Sequence, residues 1–237
     1  MNKLTSLTIF FPCYNDGGTI ASLVLLAEQI AKKISSDYEI IVVNDASFDA
    51  SYQVLKILKT KVANLKIINH RQNKGYGGAL KAGFRTAKKE WIFYTDGDFQ
   101  YDVQELTKLV KAVDQPTELV QAYKVERHDP WYRIFIGCLY NWLVKKMFHL
   151  PFKDIDCDFR LIKKKVIKRI ELESDSGVIC VEMMLKLKQA GVRYKQVPVY
   201  HYPRQYQISQ FFNFKRLLET GLALIKLYWQ FQREKHG

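Results

Sequence analysis

The feature that most restricts the fold of this chain is an alternation. Over residues 7–122, short runs rich in β-branched and aromatic residues take turns with longer amphipathic stretches, and a polar loop follows most of the runs. Residues 7–11, 38–43, 65–68, 91–95 and 118–122 read as strands, and residues 19–34, 52–59, 79–87 and 103–113 as helices. The run at 38–43 is continuously apolar, the pattern of a strand covered on both faces. Strand and helix repeated in this order predict an α/β fold with a mainly parallel central sheet flanked by helices. In such sheets ligands bind beyond the carboxyl ends of the strands. The polar loops at 44–47, 73–78 and 96–100 all follow strands, so they are expected to converge on one edge.

Past residue 125 the texture changes. Residues 131–148 read as an aromatic-rich helix, 154–162 as a loop and short strand, 178–190 as a helix, 194–200 as a strand, and about 209–233 as a long C-terminal helix. The chain of 237 residues shows no internal repeat or low-complexity linker, and it is long enough to bury a substantial core. Its net charge of +13 favours an anionic partner or simply a lysine-rich solvated surface. Nucleic acid is disfavoured: no helix-turn-helix, zinc or RNA-binding signature is present, and acidic loops would repel a phosphate backbone. Cys13, Cys138, Cys157 and Cys180 are far apart, without CxxC or Cys/His spacing. That argues against zinc and for a reducing compartment. The N-terminal apolar run reads as a first strand, not a signal peptide. The longest apolar stretches, 134–144 and 221–231, fall short of the ~20 residues that a span requires.

The most specific chemistry lies at Asp96 and Asp98, alternate residues at the end of an apolar strand. Two carboxylates presented to one point suit a hard cation such as Mg²⁺ or Mn²⁺, which takes oxygen ligands and often completes its shell with substrate phosphates. Gln100 can add a carbonyl oxygen. A diphosphate leaving group needs such neutralisation as its bond breaks. Asp-Gly-Asp is also an ordinary turn sequence. Asp45 occupies the same place after an earlier strand, where its carboxylate can accept from a base or a ribose hydroxyl or cap the next helix. The segment Asn73–Gly78 is a glycine-rich lead into a helix. It matches neither the dinucleotide fingerprint nor a Walker loop, and close backbone approach to a ligand is its expected use.

Six motifs in order carry a resemblance: Phe11-Pro12-Cys13-Tyr14-Asn15-Asp16, Val42-Val43-Asn44-Asp45-Ala46-Ser47-Phe48-Asp49, Asn73-Lys74-Gly75-Tyr76-Gly77-Gly78-Ala79, Thr95-Asp96-Gly97-Asp98-Phe99-Gln100-Tyr101-Asp102, Asp156-Cys157-Asp158-Phe159-Arg160, and His201-Tyr202-Pro203-Arg204 with Ser209-Gln210-Phe211-Phe212 after it. From about residue 7 to residue 216 the chain resembles family 2 glycosyltransferases, and among them the polyprenyl-phosphate group that includes dolichol-phosphate mannose synthase. Asn44 stands where many relatives have aspartate, Ala46 where glycine is common, and Gln207 where glycine often precedes the serine. The resemblance implies a GT-A fold, with a catalytic domain over residues 1–207 and an amphipathic helix over 208–237. It implies a UDP- or GDP-sugar donor, a polyprenyl phosphate acceptor, inversion at the anomeric carbon, and Mg²⁺ or Mn²⁺. Pro12, Tyr14, Asp45, Gly75 and Asp96 would bind the donor, and Asp96, Asp98 and Gln100 the metal. Arg127, Arg133, Arg160, Arg204 and Ser209 would hold phosphate or acceptor. For a hydroxyl acceptor, Asp154, Asp156 or Asp158 would remove the proton; a polyprenyl phosphate, already an anion, needs no strong base.

The C-terminal helix gathers Lys215, Glu219, Lys226, Gln230 and Arg233 into a ~60° stripe and leaves most of the rest apolar. So wide an arc suits an anionic membrane interface, with burial between domains or in a homo-oligomer as the alternative. The helix at 131–148 has the same character, with Lys145 and Lys146 placed for anionic lipid. A peripheral protein on the cytoplasmic face of a membrane is the expectation. The competing readings are the same fold acting on a glycan or lipid-linked saccharide hydroxyl, and a non-catalytic scaffold at the membrane.

Overall fold

The computed structural model describes residues 3–127, 131–203 and 214–236. One seven-stranded sheet forms its centre, from β1 (Leu7–Cys13), β2 (Tyr38–Asn44), β3 (Leu65–Asn69), β4 (Trp91–Thr95), β5 (Leu119–Arg127), β6 (Phe159–Lys163) and β7 (Tyr194–His201). The strand order is β3-β2-β1-β4-β6-β5-β7. Strands β1 to β4 run parallel, as the alternation predicts, and β5 pairs in parallel with β7. Only β6 is reversed, antiparallel to both β4 and β5.

Period-two alternation along the strands divides the core into two layers. Leu7, Ile9 and Phe11 of β1 and Phe93 of β4 face helices α1 (Ile20–Ile34), α2 (Ser51–Lys61) and α4 (Leu106–Ala112). Phe10, Ile92 and Tyr94 face the opposite side, with α3 (Gly75–Thr86), α5 (Trp131–Phe148), α7 (Ile179–Gln189) and α8 (Phe214–His236). A short helix, α6 (Lys164–Ile167), follows β6. Packing, not capping, holds α1. No side chain caps its N-terminus, yet Ile20, Leu23, Val24, Ala27, Ile30, Ala31 and Ile34 are all buried along one face. A cap is worth ~1 kcal/mol, whereas each large apolar side chain buried here contributes roughly 1.5–3 kcal/mol.

Two helices begin differently from their sequence pattern. The helix expected from residue 79 starts at Gly75, because the amide of Gly77 donates to Asp175 O at 2.9 Å and a tertiary contact overrides the poor helix propensity of glycine. The stretch 103–113 opens as a 3-10 turn, Val103–Glu105, capped by the Asp102 carboxylate accepting from Gln104 N at 2.9 Å.

The wide apolar arc of α8 resolves into two faces. Leu227, Ala223, Leu224, Tyr228 and Phe231 pack on the core, with the rings of Tyr228 and Phe231 each 6.0 Å from that of Phe148 in α5. Leu218, Leu222, Ile225 and Trp229, one straight i, i+4, i+7, i+11 stripe, are exposed. A similar stripe runs along α5 through Trp131, Phe135, Leu139, Trp142 and Leu143, where Lys146 Nζ lies 5.1 Å from the Trp142 ring centre. Among the described residues no helix is long and apolar enough to cross a membrane.

Candidate functional site

The carboxyl ends of β1, β2, β3 and β4 bring four loops together, and hydrogen bonds between loops far apart in sequence lock them. After β1, Asn15 N donates to Ser47 Oγ (2.9 Å) while Asn15 Oδ1 accepts from Phe48 N (2.9 Å). Gly17 N donates to Asp49 Oδ2 at 3.0 Å, and Asp45 N to Cys13 O at 2.9 Å. The Tyr14 and Phe48 rings meet edge to face at 6.1 Å, with Phe48 80% exposed, so an aromatic pair stands at this rim. Asn15, Ala46 and Phe99 have φ of 60°, 57° and 62°. Left-handed backbone at non-glycine residues is held only where surrounding contacts over-determine it, commonly at functional sites.

Asp45 is buried, and its Oδ1 is 2.6 Å from His70 Nδ1 and accepts from Lys74 N at 2.9 Å. Asn73 Nδ2 donates to Asp45 O at 3.2 Å. The loop after β3 is therefore folded around Asp45.

Asp96 and Asp98 follow β4, Asp96 half-buried and Asp98 buried. Asp96 Oδ1 accepts from the Tyr76 hydroxyl at 2.6 Å. Asp98 Oδ1 accepts from Gln100 N at 3.1 Å. Between them, a Cβ on Gly97 would lie 2.8 Å from Pro12 O and 2.9 Å from Asp16 Oδ2, so only glycine lets this turn press on the end of β1. Thr19 Oγ1 donates to Gly97 O at 2.7 Å and closes the contact. Gln100 Nε2 donates to Tyr202 O at 3.1 Å, which turns the side-chain oxygen away from that bond. The donor set is all oxygen. Among the described residues no group of three or more His, Cys, Asp or Glu side chains gathers to hold a metal alone. Two carboxylates that leave the rest of the shell to a diphosphate fit a hard cation.

The segment 154–160 lies alongside and sorts its three aspartates. Asp154 is buried; its Oδ1 accepts from Asp156 N (3.1 Å), and its Oδ2 accepts from Lys124 N (3.2 Å) and lies 3.7 Å from Lys124 Nζ. Asp158 Oδ1 is 2.6 Å from Arg160 Nη1 and also accepts from Tyr94 OH and Cys180 Sγ. Asp156 is half-buried, and burial pushes its carboxyl up to about 6, with Lys124 opposing and Asp154 and Asp158 adding to the rise. That value places the Asp156 carboxyl to exchange a proton near neutrality.

The raised Asp156 sets a sign for stability. A carboxyl with its folded pKa above the ordinary 3.8 holds its proton more tightly folded than unfolded, so the contribution of Asp156 to stability is fully present below about pH 4 and is lost as pH rises through about 6. Asp156→Asn is expected to match the parent at pH 4 and to exceed it by ~1–3 kcal/mol at pH 8 in urea unfolding.

The sequence profile of glycosyl transferase family 2 matches residues 8–171. The chain belongs to this family. It is similar to two undecaprenyl-phosphate 4-deoxy-4-formamido-L-arabinose transferases. That of Aeromonas hydrophila is 29% identical over 70% of this chain and 50% of its own length. That of Edwardsiella ictaluri is 27% identical over 68% and 50%. The chain thus spans about half the length of these curated relatives. Among solved structures, glucosyl-3-phosphoglycerate synthase from Mycobacterium tuberculosis, in complex with Mn²⁺, UDP and phosphoglyceric acid, superposes with a TM-score of 0.71 at 14% identity, covering 93% of this chain and 76% of that one. A mannosyltransferase from Pyrobaculum calidifontis, in complex with GDP-Man and Mn²⁺, gives 0.62 at 19% identity, covering 85% and 57%. These likenesses show the GT-A fold.

Of the residues expected in this family 2 site, Pro12, Tyr14, Asp45, Asp96, Asp98 and Gln100 all come to the one sheet edge. Gly75, expected at the donor, packs against protein on its Cβ side: a Cβ there would lie 2.4 Å from Asp175 O. One expectation is corrected. Arg160 is fully buried in β6, where Nε donates to Gln121 Oε1, Nη2 to Ile155 O, and Nη1 to Tyr94 OH and Asp158 Oδ1. All three of its nitrogens are spent inside the protein, so it supports the site from below and does not grip an acceptor. Arg204 and Ser209, and the side chains of Arg127 and Arg133, lie outside the described residues. The sequence reading missed His70 and Tyr76. A histidine directly after an apolar strand, and a tyrosine inside a glycine run, were the available signals.

Proposed function

We propose that this chain transfers a sugar from a UDP- or GDP-sugar to a polyprenyl phosphate, working peripherally on the cytoplasmic face of a membrane with Mg²⁺ or Mn²⁺. The observation that carries the donor half is the pair Asp96 and Asp98 at the carboxyl edge of β4, beside the Tyr14–Phe48 aromatic rim and Asp45. The bound cation would neutralise the diphosphate as it leaves. Asp96 and Asp98 hold it, Gln100 contributes its amide oxygen, and Pro12, Tyr14 and Asp45 line the nucleoside. Arg127 at the end of β5, Arg133 in the first turns of α5, Arg204 and Ser209 hold the acceptor phosphate, for which arginine offers paired donors. The acceptor half is supported by the names of the two curated relatives and by the exposed apolar stripes on α5 and α8, which suit a lipid interface.

Thermal unfolding of the purified protein with UDP and GDP, each with and without Mn²⁺, tests the donor site. A nucleotide at ~100 times its dissociation constant stabilises by about 2.7 kcal/mol, and the expected shift requires the metal. No shift with either nucleotide refutes the proposal.

Asp156 favours a second reading, in which the acceptor is a glycan or lipid-linked saccharide hydroxyl and this carboxylate takes its proton. Transfer by Asp156→Asn then falls ~10²–10⁴-fold, whereas transfer to a short-chain polyprenyl phosphate survives the substitution.

A further inference from the structure

We infer that Tyr76 is a positioning residue for Asp96, and that the glycine-rich segment around it serves as its mount and not as a phosphate cradle. The inference rests on the donor-site reading above. The Tyr76 hydroxyl is 2.6 Å from Asp96 Oδ1, the length of a charge-assisted O–H···O⁻ bond. A donor fixed on one carboxylate oxygen orients the side chain before a cation and a diphosphate arrive.

The mount is visible in the backbone. Gly75 has φ of +77°, and a Cβ on Gly77 would lie 2.2 Å from Ser174 O. The first turn of α3 is thus pressed against residues 174–175, with Gly77 N donating to Asp175 O. That loop is itself anchored to α7: Glu182 accepts from Glu173 N (2.8 Å) and Ser174 N (2.9 Å). Lys81 Nζ adds an ion pair to Asp175 Oδ1 at 2.7 Å. Neighbouring side chains at 75 or 77 would push α3 off this loop and carry the Tyr76 hydroxyl away from Asp96.

The test is Tyr76→Phe in the whole chain, which removes one oxygen and keeps the ring. Free Mn²⁺ is followed by its electron paramagnetic resonance signal in titrations with UDP and with GDP. The expected result is a melting temperature close to the parent's without ligand, and nucleotide-dependent Mn²⁺ binding about 10- to 100-fold weaker, as for loss of a hydrogen bond to a charged group. Excess Mn²⁺ should restore the transfer rate, a rescue that a packing defect would not show. Gly77→Ala, which keeps the hydroxyl but disturbs the mount, should weaken Mn²⁺ binding likewise. Parent-like Mn²⁺ affinity in Tyr76→Phe overturns the inference while leaving the donor site standing. Absence of nucleotide-dependent Mn²⁺ binding in the parent itself overturns the donor-site reading and this inference with it.

Discussion

Asp98→Asn is expected to cut the proposed sugar transfer by about a thousand-fold or more, because the several kcal/mol of charge stabilisation that a cation held there would supply disappears and each ~1.4 kcal/mol is a factor of ten. Folding should survive. Asparagine keeps an oxygen where Asp98 Oδ1 now accepts from Gln100 N, so the turn retains its hydrogen bond and loses only the charge. Asp98→Ala removes both, and the lost bond costs ~1 kcal/mol of stability. Comparing the two variants therefore separates the charge from the shape of the loop. The measurements are the transfer rate and the Mn²⁺-dependent nucleotide shift in melting temperature. Asp98→Asn that keeps both would refute the metal-binding role proposed for Asp98.

Arg160→Met should produce the largest loss of stability of any single substitution near the site. The guanidinium is fully buried and is held by Gln121, Tyr94, Asp158 and Ile155. Methionine fills much of the space but leaves Asp158 as a buried charge without its partner, together with an acceptor on Gln121 and one on Ile155. Breaking a buried pair from one side costs about 3–5 kcal/mol. For a chain of this length that corresponds to a fall in melting temperature of roughly 6–20 °C. Adding Asp158→Asn to Arg160→Met should recover part of the loss, since the two residues are in contact and their effects are not additive. Equal losses for the single and double variants would show that the ion pair is not what the core depends on. Because the charges of Asp158 and Arg160 both act on Asp156, the single variant should also disturb the proton affinity of that carboxyl.

The order of strands and helices, the parallel start of the sheet and the convergence of the acidic loops were legible in the amino-acid sequence. These depend on local patterns: a buried strand announces itself as a short apolar run, and Asp96 and Asp98 follow one directly. The motif order also pointed to the family. What the glycine-rich segment does was not legible, because a glycine's missing Cβ says that something comes close without saying what. Only the folded chain shows that Ser174 and Asp175 fill that place.

The roles within Asp154, Asp156 and Asp158 were likewise open. Three aspartates at alternate positions are equivalent as text. They are distinguished by Lys124 on β5, which engages Asp154, and by Arg160 with Cys180 on α7, which engage Asp158. The wide apolar arc of α8 was legible as a pattern, yet only the docking on Phe148 divides its described residues into a packed face and an exposed one. Local pattern thus determined which elements form and where the acidic loops lie. Partners 20 residues apart, as Tyr76 and Asp96, 25 apart, as Asp45 and His70, or 66 apart, as Tyr94 and Arg160, were decided by the tertiary structure, because burial and hydrogen-bond geometry exist only once distant segments share the same space.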